Sequence, residues 1–364
     1  MSIAELRGVT KGAPSEELER AIREVFLAAT GGLAWLKPGQ TVLLKPAVNS
    51  PNPYPATTHP AAVGVLAREL SSRGARVVVG DQSGIGHVMH TPRGVTKGST
   101  RKNLQACGIA EKLDPDVELA AFEEGDWDKD FFLFKNDKAA HWPNGFYMTR
   151  WIEKADHIIN LPRLSTHSMA GVTLGFKNLV GLMREDSRIE FHTQGPFFDF
   201  MKSWAKREKI KIDYPRSGDF FEKITEVALA IKDKLRLTLF VGTQAQVTMG
   251  PDKVSYRLLG KPLESYVTTP DTGLVFASAD PVAAEAVAIA CMAEMYRGIP
   301  WRHRAFQKTL MAMNGQAKEL GSYNAWDNPF VAHALRLGLG ARHADFSAHG
   351  VPQDLLTRLQ KSLG

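Results

Sequence analysis

Apolar residues along this chain alternate between short continuous runs and helical spacing, which is the pattern of an α/β protein. The runs at Thr41–Leu44, Val77–Val79 and His157–Leu161 predict buried strands. Between the first two runs, Pro60 suits the first turn of a helix, and apolar residues at helical spacing follow it. A strand–helix–strand unit of this kind predicts a right-handed parallel pair of strands.

The C-terminal half repeats the pattern. Leu237–Val241 and Gly273–Ser278 predict further strands, and Asp280 with Pro281 is a strong start signal for a long helix. We therefore predict an α/β fold with two Rossmann-like, mostly parallel sheet layers, helices on both faces and a ligand cleft between the layers. The expected division is an α/β domain over 1–165, a second over 166–300, and a helical segment over 301–364 that packs back on the body.

Composition narrows the classes of function. The net charge is +6, but basic residues are scattered, so we do not expect a nucleic-acid partner. The two cysteines, Cys107 and Cys291, form no Cys-x-x-Cys pair, which argues against an iron–sulfur cluster. No apolar run approaches the roughly 20 residues that cross a bilayer. We expect a cytoplasmic protein without a membrane partner.

Polar residues fall where the first two predicted strands end. Lys45 and Asn49 follow the first strand, and Asp81 follows the second. Because ligands of open parallel sheets bind beyond the carboxyl ends of the strands, these residues are candidate ligand contacts. Asp280 is a fourth candidate. The alternatives are a surface lysine at 45, a turn residue at 81 and a helix N-cap at 280.

Residues 160–181 contain further candidate functional residues. This segment contains His167, Lys177 and Asn178 among three glycines, which permit close approach of the backbone. His167, whose imidazole can titrate near neutrality, and Lys177 are candidate catalytic groups. Asn178 is a candidate ligand contact. Residues 84–99 are rich in Gly and predict a long irregular loop, which we expect to act as a lid over the cleft.

Residues 197–209 alternate aromatic and basic side chains. Such a pattern binds single-stranded nucleic acid in some proteins. The helical spacing of Phe197, Phe200, Met201 and Trp204 favours an amphipathic helix instead. We expect this helix to line the cleft or to form the contact of a homodimer.

Several stretches, in their order and spacing, resemble the domain-of-unknown-function family 362. They are Val42–Pro46 with Asn49, Thr57–Pro60, Val79–Asp81, Ile158–Pro162 with Thr166 and His167, Gly175–Gly181, and Ser278–Ala283. The resemblance implies a fold and no particular reaction. Many family members carry a lysine where this chain has Ser165, and an aspartate where it has Glu285. Many also carry a cysteine-rich ferredoxin-like module, which has no counterpart in this sequence.

A second similarity concerns chemistry. His167, Lys177 and His192 follow one another at a spacing that is similar to the nickel-pincer lactate racemase family. That resemblance implies an acid/base role for His167, a nucleotide-holding role for Lys177 and nickel ligation by His192.

Two functions from different classes follow. The first is the binding of a small anionic ligand, a carboxylate or a phosphate, with isomerase-type acid/base chemistry at His167. The second is a non-enzymatic carrier of a cofactor or a metal ion (nickel, zinc or iron). Its candidate ligands are His59, His167 and His192, with Asp81 or Asp280. A structural or partner-binding protein is a third reading, which the aromatic segment favours.

Overall fold

A computed structural model describes residues 4–194, 198–212, 219–258, 261–314, 319–342 and 345–364. Its strands are β1 (Ala4–Thr10), β2 (Thr41–Pro46), β3 (Arg76–Asp81), β4 (Met89–Thr91), β5 (Gly94–Lys97), β6 (Glu118–Ala121), β7 (Phe131–Phe134), β8 (Phe146–Thr149), β9 (His157–Leu161), β10 (Ser165–His167), β11 (Gly171–Thr173), β12 (Leu235–Gly242), β13 (Ala245–Gln246), β14 (Ser255–Leu258), β15 (Lys261–Glu264), β16 (Val267–Thr268), β17 (Thr272–Ser278) and β18 (Phe346–His349). Its α-helices are α1 (Ser15–Ala29), α2 (Pro60–Ser71), α3 (Thr100–Ala106), α4 (Trp151–Lys154), α5 (Gly175–Asn178), α6 (Glu185–His192), α7 (Phe198–Arg207), α8 (Phe220–Glu226), α9 (Pro281–Arg297), α10 (Trp301–Asn314), α11 (Pro329–Leu337) and α12 (Gln353–Leu363).

The α/β class is confirmed by a central sheet of eight strands in the order β18-β1-β17-β12-β9-β2-β3-β6. All of its strands are parallel except β17, which is antiparallel to both of its neighbours. A second, smaller sheet has the order β11-β10-β13-β16. The large sheet takes strands from all three segments expected from the sequence, because β12 pairs with β9 and β18 pairs with β1.

Both faces of the central sheet are buried. Ile158 and Ile159 are adjacent on β9 and point into different apolar clusters, one on each face. α1 and α2 cover one face, and α8, α9 and α11 pack on the other. This double burial explains why the strands are continuous apolar runs in the sequence. The predicted parallel pair β2–α2–β3 is present, with Val42 opposite Val77.

One expectation about an irregular segment needs correction, and the structure gives the exact bounds of two other segments. Residues 84–99 are not a continuous irregular loop, because Met89–Thr91 and Gly94–Lys97 pair as the β4–β5 hairpin. Gly94, at a φ of 100°, allows the tight turn. The amphipathic helix is present as α7, which begins at Phe198; Phe197 lies outside the described residues. The tail from Trp301 includes β18 as well as helices.

Candidate functional site

A cavity of about 160 Å³ lies at the carboxyl ends of β2, β3 and β9, next to the small sheet. This is the edge at which parallel sheets bind ligands. The cavity brings together seven of the residues expected from the sequence: Lys45, Asn49, Asp81, His167, Lys177, Asn178 and His192. Residues that are far apart in the chain therefore share one site.

Lys45 and Asp81 form a buried ion pair at the base of the cavity, with 2.7 Å between Lys45 Nζ and Asp81 Oδ1. Lys45 Nζ also donates to Pro46 O (2.9 Å) and to Asn178 Oδ1 (3.0 Å). These three contacts use all the hydrogen-bonding capacity of the ammonium group. Burial lowers the pKa of Lys45, and Asp81 opposes that shift. Lys45 is therefore a structural cation of the cavity wall.

Asn178 connects α5 to the strand ends. Its Nδ2 donates to Lys45 O (3.1 Å) and to Asn160 Oδ1 (2.8 Å), and Asn160 Nδ2 donates to Gly175 O (3.0 Å). Glu285 on α9 accepts from the backbone N–H of Gly175 at 2.6 Å. Burial raises the pKa of Glu285 to about 8. These contacts fix the start of α5 and so place the side chain of Lys177.

Arg163, two residues beyond β9, is a buried cation with two donors that have no partner among the described residues. It is 2% exposed, and its Nε and Nη1 have no hydrogen-bond partner among the described residues. Burial lowers the pKa of Arg163 to about 10, against the opposing charges of Asp252 and Asp81. Because this pKa is well above neutrality, the guanidinium carries a positive charge. Its Nε and Nη1 have no hydrogen-bond acceptor in the part of the chain that the structure describes.

Arg188 and Lys177 add positive charge to the same wall. Arg188 donates through Nη2 to Ser83 O (2.7 Å) and through Nη1 to Glu185 Oε2 (3.3 Å), but its buried Nε has no partner in the described part of the chain. Lys177 Nζ lies 5.0 Å from the centre of the Phe191 ring. Burial, with Arg188 and Arg163, lowers the pKa of Lys177 to about 7.

His167 faces the cavity as a hydrogen-bond donor. Its Nδ1 accepts from the backbone N–H groups of Met169 (3.1 Å) and Ala170 (3.2 Å), so in the neutral ring the proton is on Nε2. Burial lowers the pKa of His167 well below its ordinary value, and the positive charge of Lys177 adds to the effect. The ring is therefore neutral at physiological pH.

His192 has the opposite tautomer. Its Nδ1 lies 2.7 Å from Arg188 O, so Nδ1 carries the proton and donates it to that carbonyl. Burial, followed by Lys177, lowers the pKa of His192 well below its ordinary value. Nε2 of His192 therefore keeps its lone pair. The cavity thus presents one imidazole donor and one imidazole acceptor.

The more exposed side of the cavity is closed by contacts between loops. Asp252 accepts from Asn49 Nδ2 at 2.6 Å and lies 2.9 Å from His87 Nε2. His87 precedes the β4–β5 hairpin, so the segment expected to act as a lid does reach the rim of the site. Asn49 is engaged by Asp252 in this arrangement.

Two candidates lie elsewhere. His59 caps α2, where its Nδ1 accepts from Ala61 N at 3.2 Å, and it lines a different cavity of about 220 Å³. His59 and His192 are therefore not brought together as metal ligands. Asp280 caps α9 by accepting from Val282 N (2.8 Å) and Ala283 N (3.0 Å), and it does not line the main cavity.

Sequence reasoning missed Arg163, Arg188 and Asp252. Arg163 follows a predicted strand as closely as Asn49 follows β2, so the strand-end rule could have found it. Arg188 lies four residues before His192 on α6, on the same helical face, and this spacing was available in the sequence. Asp252 is in a loop whose path only the folded chain reveals.

Comparisons with known proteins bear on the family. The chain is 28% identical over 230 residues to the thylakoid-associated protein sll1697 of Synechocystis, a match that covers 62% of this chain and 59% of the relative. No solved structure matches. In the described part of the chain, the helices are too short or too polar to cross a membrane.

A protein-family profile matches most of the chain. It spans residues 42–290, from β2 to the middle of α9, and so includes the strand ends and α5 that form the cavity. The chain belongs to the family described as Domain of unknown function (DUF362).

Proposed function

We propose that this protein binds a small anionic ligand, a carboxylate or a phosphate, in the cavity at the strand ends. The observation that supports this is Arg163, a buried guanidinium with two donors that have no partner in the described residues. An unpaired buried cation costs stability, and a bound anion in front of it would remove that cost. The planar fork of an arginine suits the two oxygens of a carboxylate or phosphate.

The other cavity groups suit the same ligand. Lys177 and the unpaired Nε of Arg188 supply further positive charge, and Nε2 of His167 supplies a neutral donor. The two carboxylates that line the cavity offset only part of this charge. Asp81 is paired with Lys45, and Asp252 is engaged by Asn49 and His87.

We further propose that the ligand undergoes proton transfer at the carbon next to its carboxylate, as in an isomerase. His192, with a free lone pair on Nε2, is the group that can accept a proton, and Lys177, whose charged form a bound anion favours, holds the ligand. The tautomer of His167 suits a donor that stabilises the developing negative charge on oxygen, rather than the base. His167 and Lys177 are thus proposed to stabilise negative charge, and His192, expected from the sequence as a metal ligand, is proposed as the base.

Anion binding is tested by calorimetric titration with sulfate, phosphate and acetate. Arg163→Met should weaken binding by about 10–100-fold, the value of one lost charge-assisted hydrogen bond. Arg236→Met is the matched control, because Arg236 is a partly buried arginine that contacts His157 outside the cavity. Unchanged affinity in the Arg163 variant would rule out the proposed site.

Proton transfer is tested separately from binding. Small carboxylates with a hydrogen on the neighbouring carbon are incubated with the protein in deuterated water, and exchange is followed by NMR. His192→Gln should abolish exchange while the affinity for the same carboxylate is retained. If a ligand binds stoichiometrically and no exchange occurs in any case, the non-enzymatic carrier is the better description.

A further inference from the structure

We infer that His141, Glu226 and His333 form a binding site for a divalent metal ion of the zinc type, separate from the anion cavity. The potential ligand atoms of the three side chains all lie within 4.8 Å of one another. None of the three lines the cavity at the strand ends. Two imidazoles and one carboxylate are a common ligand set for Zn²⁺.

The three residues come from separate parts of the fold. His141 is in the loop between β7 and β8, Glu226 ends α8, and His333 is on α11. The loop is anchored beside the site, because Trp142 is buried and donates through Nε1 to Lys223 O at 2.9 Å. α8 and α11 are held together by an edge-to-face contact of Phe221 and Phe330. A metal here would join three elements on one face of the sheet.

The burial of the carboxylate is the second observation that points to a cation. Glu226 is completely buried, and the ion-pairing partners recorded for it among the described residues are the two imidazoles. Glu226 Oε1 lies 2.6 Å from His141 Nδ1 and 3.2 Å from His333 Nε2. A buried carboxylate needs a compensating positive charge, which a bound metal supplies at the point where the two rings converge.

The side chains need to shift by about 1 Å to hold a metal ion. With metal–ligand bonds of about 2.0–2.2 Å, tetrahedral ligand atoms lie about 3.3–3.6 Å apart. The two separations from Glu226, 2.6 and 3.2 Å, therefore have to widen by up to about 1 Å, and the separation of the two histidine nitrogens, at most 4.8 Å, has to narrow by up to about 1.5 Å. The side chain of His141 is 36% exposed, so water can reach a fourth position.

Arg336 is the group that opposes metal binding. Its Nη2 lies 3.1 Å from His333 Nδ1 and donates to it, which leaves the ring proton on Nε2. When Nε2 binds a metal, the neutral ring carries its proton on Nδ1, and the contact with Arg336 is lost. Arg336 is exposed and can turn to solvent. Its removal should therefore strengthen metal binding.

The test is titration of the full-length, untagged and chelator-treated protein with Zn²⁺, with metal content measured by plasma mass spectrometry. Wild type should bind Zn²⁺, and Co²⁺ should give the visible absorption of a four-coordinate ion. His141→Ala and Glu226→Gln should each weaken binding at this site by about 100-fold or more, and Arg336→Ala should strengthen it. The exposed His349 provides the control His349→Ala, which should change nothing.

These variants distinguish Zn²⁺ binding at this site from Zn²⁺ binding by other histidines of the protein. His141 is in a partly exposed loop, so its replacement tests the site even if Glu226→Gln fails to fold. Zn²⁺ binding that is unchanged in His141→Ala, or weakened in Arg336→Ala, would overturn the inference. Failure of wild type to bind Zn²⁺ would overturn it as well.

Discussion

Arg163 is a residue whose cost to stability the proposed anion binding would explain. Its guanidinium is buried, charged and without a hydrogen-bond partner at Nε and Nη1 in the described part of the protein. Arg163→Met keeps the side-chain volume and removes the charge. We expect the free energy of unfolding of the ligand-free protein to rise by about 1–2 kcal/mol, measured by urea denaturation. A large loss of stability would instead indicate that Arg163 has a structural partner.

Lys177 predicts how anion binding depends on pH. Its pKa is about 7 in the free protein, and a bound anion favours the charged form and so raises that pKa. Binding therefore takes up a proton, and affinity should fall as pH rises from about 6 to about 9. Sulfate is the suitable probe because its own charge is constant in this range. Lys177→Met should lower the affinity at the acidic end and flatten the pH dependence.

At the residue scale, the sequence identified site residues where polar side chains come directly after a predicted strand. Lys45, Asn49 and Asp81 line the cavity because parallel strands bring their carboxyl ends to one edge. Their contacts could not be predicted from the sequence. Lys45 Nζ makes three hydrogen-bonding contacts, and one of them is with Asn178, which is 133 residues away in the chain. The tautomers of His167 and His192 depend equally on backbone groups that only the folded chain positions.

At the element scale, the turn after α5 depends on a glycine. A Cβ atom at Gly181 would collide with Asp81 Oδ1 and would lie 2.7 Å from Lys45 Nζ. Neither side chain can move aside without losing buried hydrogen bonds. Gly181→Ala should therefore lower the free energy of unfolding by about 1–3 kcal/mol. Gly298→Ala is the matched control, because a Cβ there meets nothing within 4 Å; equal effects of the two changes would contradict the steric explanation.

Asp280 belongs to the start of α9 rather than to the site. Besides capping the helix, its Oδ2 accepts from Ala341 N at 2.8 Å and so connects α9 to the C-terminal segment. Asp280→Ala should lower the free energy of unfolding by about 1–2 kcal/mol, the usual cost of a lost N-cap. Sulfate affinity, measured by calorimetry, should not change. A selective loss of affinity would return Asp280 to the ligand contacts.

Long elements were predictable and short ones were not. β2, β3, β9 and α9 have continuous apolar runs or strong caps, so their positions could be inferred within a few residues. β10, β11 and β18 are three or four residues long, too short for a clear sequence pattern; β10 and β11 pair with each other, and β10 and β18 also depend on strands far away in the chain. β18, for example, is placed by β1, more than three hundred residues earlier in the chain.

At the scale of the whole molecule, the central sheet links the ends of the chain. Its order places β1 and β18 together at one edge and β2, β3 and β6 at the other, with β9 and β12 between them. The apolar cluster on one face includes Leu43 from β2, Phe276 from β17 and Leu363 from α12. Residues of 1–165, 166–300 and 301–364 therefore share one core.

This continuity predicts a single cooperative unfolding transition. Breaking the β9–β12 pairing would expose apolar residues of both halves, so neither half should remain folded alone. Circular dichroism and tryptophan fluorescence should give the same midpoint, and the calorimetric and van't Hoff enthalpies should agree. If the proposed anion site is correct, sulfate should move the whole transition to higher temperature, because the cavity is formed where strands from the N-terminal part and α5–α6 meet. Two transitions, with only one shifted by sulfate, would instead support independent domains divided near residue 165.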